Sequence, residues 1–394
     1  MNQLEQRADK IAEEMKGTIE EISDYIFNHP ELGDREYRSS EYLSGLLADH
    51  GFNVETPYLG LETAFRAEFG DGEGPKIAFL PEYDALPGYE GGAAHACGHN
   101  WIAASTIGAA LILSKMKDAF RGKVVVIGTP AEETSGRKVD LTEKGAFDDV
   151  DAVFQLHLYQ NNNFNAKALA IDSWEFEFKG KASHAAAFPY DGINALDAVN
   201  LTFAGIGALR QQLRQDVRIH GVITKGGEAP NVIPDLCSCK FYVRSEKRAG
   251  LDDVSEKVKN CARGAALMTG TKLEIRQFEN SYDDLVLNSV LVELMKDQLR
   301  RAGIENFSDE IENAGSTDIG NVSYRVPTVY GNIGVGDGSV NVHEAAFLTL
   351  ANGREAKQKL LIAARAFAGA ALELFSRPEL MKEAKEEFEH SVGR

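Results

Sequence analysis

The stretch GKVVVIGTPAEE, Gly122 to Glu133, decides the fold class. Its apolar run, bounded by turn residues, reads as a buried strand that ends in an acidic loop. Two other stretches share that form. KIAFLPEYDALPG, Lys76 to Gly88, places a buried strand at Ile77 to Leu80 and again ends in an acidic loop. VDAVFQLHLYQ, Val150 to Gln160, is a third strand and ends near His157. Between them, WIAASTIGAALILSKM reads as a helix whose small residues allow close packing. Apolar strands separated by helices predict an α/β domain with a mostly parallel central sheet flanked by helices. Sites in such sheets form beyond the carboxyl ends of the strands. Three strand ends here carry Asp84, Glu132 with Glu133, and His157.

The middle of the chain follows another rule. DSWEFEFKGK alternates, with Trp174, Phe176 and Phe178 on one face and Glu175, Glu177 and Lys179 on the other. A long amphipathic helix follows, with Ile193, Leu196, Val199, Phe203, Ile206 and Leu209 on one side. The strands RIHGVITKGG and CSCKFYVRS, a helix over about 251–268 and the strand KLEIRQFENSY complete a β-α-β-β-α-β order. That order predicts a ferredoxin-like α+β unit whose open sheet edge could pair with another chain. Helix and strand patterns then return, ending in a helix over about 352–375 and a charged tail expected to be a solvated helix. The expected architecture is a catalytic domain in two parts, 1–168 and 284–394. A second domain, 169–283, whose open sheet edge is a plausible pairing surface, is inserted between them.

Composition sets bounds on function. A chain of 394 residues exceeds what a single core usually organises. The net charge of −18 and the lack of any lysine- or arginine-rich cluster argue against nucleic acid as a partner. The N-terminal segment is a charged amphipathic pattern without an apolar span, so no membrane partner is expected. Four cysteines in so long a chain form no disulfide framework, which favours a reduced, cytoplasmic location.

HACGH, His95 to His99, supports three readings: a metal site, a small-residue turn with a buried cysteine, and a reactive thiol. Gly98 allows the Cys97 and His99 side chains to converge. Adjacent carboxylates in an extended segment point opposite ways, so Glu133 could bind metal while Glu132 faces water as a general base. His157 and His343, the latter in GDGSVNVHEAAF, add donors. Two imidazoles, a thiolate, a carboxylate and a fifth donor exceed what one tetrahedral metal needs. A two-metal hydrolytic centre accounts for the surplus. On the inserted domain, His184 lies in a small-residue loop and Asn231 in a glycine–proline turn. Arg244 lies on the polar face of its strand, as a solvated residue or a carboxylate fork. Cys237 and Cys239 share the apolar face and read as core.

The motifs PEYDALPG, HACGHN, GTPAEE…GRK, GKASHAAAFPYDGINALDA, HGVITKGGEAPNVIPD and GSTDIGNVSYRVPT occur in one order. In that order the chain resembles the amidohydrolase branch of the two-metal aminoacylase/carboxypeptidase family. That branch includes aminobenzoyl-glutamate hydrolases, indoleacetyl-amino-acid hydrolases and a β-alanyl-lysine-type dipeptidase. The resemblance runs from about Asn28 past His343. It implies two divalent ions, zinc or manganese, held by Cys97, His99, Glu133, His157 and His343. It implies Glu132 as general base on a metal-activated water and Asp84 as the residue that orients the metal shell. His184 would reach a neighbouring subunit's site and steady the oxyanion, in a homodimer built through the inserted domain. Asn231 and Arg244 would hold the substrate carboxylate, and closure of the inserted domain as a lid would exclude water.

The implied reaction is hydrolysis of an amide bond in an N-acyl or N-aroyl amino acid or dipeptide. Two departures bear on it. Trp101 stands where relatives carry a small aliphatic residue, which implies an altered pocket wall and keeps open hydrolytic deamination of an aromatic or amidine-like amine. Glu82 stands where other branches have a metal-ligating histidine. A non-catalytic scaffold of the same fold is the reading from another class.

Overall fold

The computed structural model describes residues 3–90, 92–313 and 315–393, which form two compact units. The first comprises 1–167, 285–314 and 318–394; the second comprises 168–284 with 315–317.

The first unit is built on a six-stranded sheet. Its strand order is Asn53–Glu55, Phe65–Phe69, Lys123–Gly128, Lys76–Phe79, Ala152–Tyr159, Thr328–Gly334. The last four strands run parallel, and the first two are antiparallel additions at one edge. Val124 to Ile127, Ile77 to Phe79 and Ala152 to Leu156 are buried, as expected for strands covered on both faces. The helix His99–Ser114 packs against the sheet and against the helices Gln3–Asn28 and Arg354–Ser376. Nearly every residue of it is buried, so its amino end, which carries the HACGH turn, has a rigid support.

Two expectations need correction here. Trp101 is fully buried in this helix, and its indole nitrogen donates to the Ala356 carbonyl at 3.0 Å. It is a core residue with a satisfied N–H and no pocket wall, so the deamination reading loses its support. The charged tail is not simply solvated. The helix Pro378–Ser391 buries Met381, Ala384 and Phe388 and packs against the helix Ser289–Ala302. Its high charge masked a helical-period apolar stripe.

The second unit is a four-stranded antiparallel sheet in the order Arg218–Lys225, Leu236–Ser245, Ala170–Lys179, Lys272–Gln277. The helices Ala195–Leu209 and Arg248–Thr269 cover one face. Phe176, Phe178, Cys237, Cys239, Phe241 and Val243 form the core beneath them, so both cysteines of CSC are buried packing residues. The edge strand Arg218–Lys225 leaves Val222 and Ile223 exposed.

Candidate metal centre and active site

All five expected metal donors lie in the first unit. Gly98 takes φ +84°, a conformation glycine adopts without a Cβ penalty, and this turns Cys97 and His99 to the same side. The Nδ1 of His99 lies 2.8 Å from Asp84 Oδ1. A carboxylate only accepts, so Nδ1 carries a proton and Nε2 is the nitrogen left for a metal. Burial would lower the His99 pKa, but the Asp84 and Glu82 charges outweigh it and push it well up, so a bound cation would have to displace a proton from Nε2. His157 is set the same way: its Nδ1 donates to the Leu158 carbonyl at 2.8 Å, and Nε2 faces Cys97 Sγ at 3.5 Å. His343, at φ +70°, is pinned through its backbone. Its N–H donates to Ala96 O at 2.8 Å, and its carbonyl accepts from the Tyr89 hydroxyl at 2.6 Å. Its Nε2 lies 3.3 Å from Cys97 Sγ and 3.3 Å from Glu133 Oε1.

Four donor triads converge among the described residues: His99, Glu132 and Glu133; Glu82, Glu132 and Asp318; and two that contain a sulfur, Cys97, His99 and His157, and Cys97, Glu133 and His343. Cys97 belongs to both of the latter. Donors on one tetrahedral ion with bonds of about 2.0–2.3 Å are about 3.3–3.8 Å apart. Within those two triads, Cys97 Sγ lies 3.5 Å from His157 Nε2 and 3.3 Å from His343 Nε2, and that nitrogen is 3.3 Å from Glu133 Oε1; between the triads, 3.8 Å separates His99 Nε2 from Glu133 Oε1. Those last two atoms are buried and make no hydrogen bond, which costs free energy unless a cation takes their lone pairs. The donor set therefore fits divalent metal.

Charge in the cluster follows burial and neighbours. Burial and then the Glu133 charge push the Cys97 thiol well up, an effect a bound cation would oppose. Burial and His99 lower His157 to about 4, leaving it neutral as a ligand must be. Burial would raise Glu133, but His343 and His99 outweigh it and hold it at about 2. Glu132 is raised well above the usual carboxylate range by burial and by the Glu82, Glu133 and Asp318 charges. Asp84 joins the two acidic loops, since its Oδ2 accepts from the Glu133 N–H at 2.9 Å.

Sequence reasoning missed the group next to this centre. Lys138 is fully buried, and its Nζ lies 2.6 Å from both Glu82 Oε1 and Asp318 Oδ1. The other Glu82 oxygen is 3.4 Å from His99 Nε2. Glu82 is thus an anion held by an internal ammonium beside the metal donors. Lys138 and Asp318 were in quoted motifs, GRK and GSTDIG, but nothing in the sequence pairs them. His95 is buried, and burial with the nearby His99 lowers it to about 3, so it stays neutral.

His184, Asn231 and Arg244 lie in the second unit. His184 Nδ1 accepts from the Ala186 and Ala187 N–H groups at 3.3 and 3.2 Å, which leaves its Nε2–H as a donor on an exposed loop. The Asn231 carbonyl accepts from Ala185 N–H at 3.0 Å, tying the two loops together. Arg244 is half-buried and donates to Ser316 Oγ at 2.8 Å. Among the described residues no carboxylate lies within ion-pair distance of it. Nearby Arg248, by contrast, pairs with Asp172 and Asp283.

The fold and this donor set define a class, the metal-dependent hydrolases. Residues 78–368 match Peptidase family M20/M25/M40, and the chain belongs to that family. It is 36% identical to the Xaa-Arg dipeptidase of Mus musculus, covering 98% of this chain and 92% of that protein. It is 34% identical to a p-aminobenzoyl-glutamate hydrolase chain of Escherichia coli K12, over 74% of this chain and 63% of that one. A dinuclear metal-binding M20 peptidase from Bacillus subtilis shares the fold, with a TM-score of 0.70, 22% identity, and 92% and 99% of the two chains covered. So does an aminobenzoyl-glutamate utilization protein from Klebsiella pneumoniae, with a TM-score of 0.72, 20% identity, and 94% and 99% covered. The protein is accordingly a metal-dependent amide hydrolase that uses a divalent cation. No helix among the described residues is long and apolar enough to cross a membrane.

Proposed function

We propose that this enzyme cleaves the amide bond of an N-acyl amino acid or dipeptide at a two-ion centre of zinc or manganese. The observation that carries this reading is the place of Cys97 in both sulfur-containing triads, with His99 Nε2 and Glu133 Oε1 left without hydrogen bonds. Cys97, His99 and His157 would hold one ion, and Cys97, Glu133 and His343 the other. Bound there, divalent ions supply acidification of water and polarisation of the scissile carbonyl.

The chain's own residues do the rest. Glu132 takes a proton from the attacking water and returns it to the leaving nitrogen, a task suited to a carboxylate whose pKa burial and neighbouring carboxylates raise. Asp84 fixes the tautomer of His99 and the backbone at Glu133. The Nε2–H of His184 donates to the developing oxyanion, worth roughly 3–4 kcal/mol for a well-placed donor. Arg244, which has no carboxylate partner among the described residues, and Asn231 receive the substrate's carboxylate.

The names of the two relatives, a dipeptidase and an aminobenzoyl-glutamate hydrolase, support this substrate class. The working form is a cytoplasmic homodimer joined through the second unit, where the exposed Val222 and Ile223 mark an unpaired sheet edge. His184 then serves the partner's centre. The test is a hydrolysis screen of N-acyl amino acids and dipeptides on metal-analysed protein. Release of a free amino acid is expected; free ammonia without an amino acid would overturn the reading.

A further inference from the structure

The loop that carries Glu132 and Glu133 is held by an earlier segment, Glu31 to Glu36, whose Glu36 stands 95 residues before Ala131. Ala131, next to Glu132, takes φ +57°, a left-handed conformation unfavourable for a residue with a Cβ. Its backbone N–H donates to Glu36 Oε1 at 2.8 Å. Its carbonyl accepts from Gly136 N–H at 2.8 Å and so closes the loop. Glu36 is fully buried and stands at the amino end of the helix Tyr37–Asp49, where a side chain usually caps the free N–H groups. That work is done by Glu31 instead. Its carboxylate accepts from the N–H groups of Arg38 and Ser39, at 3.1 and 2.9 Å, and from the Ser39 hydroxyl at 2.8 Å. Glu36 is thereby free to reach the loop.

Neighbouring residues complete the brace. Asp34, itself at φ +63°, accepts from Ser135 Oγ at 2.5 Å and from Arg137 Nε and Nη2 at 2.7 and 3.0 Å. Gly33 lies so close that a Cβ there would sit 2.2 Å from Thr134 Oγ1 and 3.0 Å from the Ala131 Cβ. The same segment also grips the Asp84 loop, through Ala85 N–H to Glu31 O at 2.8 Å. One short stretch therefore fixes the two loops that supply Asp84, Glu132 and Glu133.

We propose that Glu36 is a positioning residue for hydrolysis: its carboxyl holds the Ala131 N–H and so sends Glu132 and Glu133 to their separate tasks. Burial and the nearby Asp84 charge raise Glu36 to about 8, so the carboxyl is mostly uncharged at neutral pH and is tolerated without an ion-pair partner. The inference rests on Glu132 as base and Glu133 as ligand. Amide exchange over 129–136 does not depend on that reading.

Glu36→Gln keeps an acceptor for Ala131, and Glu36→Leu removes it at similar volume. For Glu36→Leu the expected result is a fall in kcat of about 100-fold, the scale of a misplacement near 1 Å. KM should hold within about threefold, amide exchange over 129–136 should quicken, and metal should be lost more readily to a weak chelator. Glu36→Gln should restore kcat to within about threefold of the native enzyme. Wild-type kcat, exchange and metal retention in Glu36→Leu would overturn the proposal, as would a Gln variant as impaired as the Leu variant. If Glu36→Leu does not fold, Gly33→Ala decides. Intrusion on Thr134 and Ala131 should lower kcat with the fold intact, and unchanged kcat and exchange would refute the brace. Altered exchange with unaltered turnover in Glu132→Gln would uphold the brace and refute the catalytic reading.

Discussion

Cys97 Sγ lies 3.3 Å from His343 Nε2 across 246 residues of sequence, and the same sulfur lies 3.5 Å from His157 Nε2. One sulfur therefore lies against two sets of candidate donors. Cys97→Ala should reduce bound metal to less than one ion per chain, whereas His157→Ala should leave close to one. Elemental analysis of dialysed protein measures both. Equal losses would show that the sulfur is not shared.

Burial and the Glu82, Glu133 and Asp318 charges raise the Glu132 carboxyl well above the usual carboxylate range. Glu132→Gln should lower kcat by about 10²–10⁴-fold, the usual contribution of a general base. Bound metal should stay at the native level because Glu133 remains. Steady-state rates set beside metal content test this.

His184 and Glu132 belong to different units. If His184 acts in the partner's centre, Glu132→Ala and His184→Ala chains complement each other. Co-expressed in equal amounts, half of the dimers are mixed, and each mixed dimer has one intact centre. The mixture should then recover about a quarter of native activity. No recovery would place His184 in its own subunit's centre or outside the mechanism.

Lys138 pairs with two buried carboxylates, Glu82 and Asp318, and burial alone would lower its pKa, yet both anions raise it. Lys138→Met leaves those anions buried without a counter-charge. The expected cost is about 3–5 kcal/mol of stability, as for other broken buried pairs. Denaturant unfolding of the two proteins under identical metal conditions measures it, and a loss below about 1 kcal/mol would contradict the role given to the pair.

Glu36 also carries a pH signature. Its carboxyl is raised to about 8 in the folded protein, against an ordinary value near 4.5. Below pH 4.5 both states are protonated and the preference for the neutral form costs nothing. As pH rises from about 4.5 to about 8, the unfolded chain ionises while the folded one resists, so stability falls by up to ~1.4 kcal/mol per pH unit. Above about 8 the loss is complete. Glu36→Gln lacks this titration, so its Tm relative to the native protein should climb between pH 5 and 8. A flat difference would mean that Glu36 does not titrate in that window.

The sequence by itself determined the class of fold and the types of donor. Apolar runs ending in acidic or histidine-bearing loops define parallel strands, and alternation in DSWEFEFKGK defines a sheet with one polar face. Both patterns are local, because burial acts on each residue as it alternates or repeats. The family motifs added expected roles, residue by residue. Which donors meet was not legible, because Cys97 meets His157 and His343 only through the strand order of the sheet. Lys138 with Glu82 and Asp318, and Glu36 with Ala131, were equally hidden, since each pair joins loops far apart in the chain. Trp101 shows the reverse: its position beside HACGHN suggested a pocket, but helical geometry turns it toward the Arg354–Ser376 helix and into the core. Residue type and period are set by neighbours in sequence, whereas the direction a side chain faces and the charge that meets it are set by elements brought together only when the chain has folded.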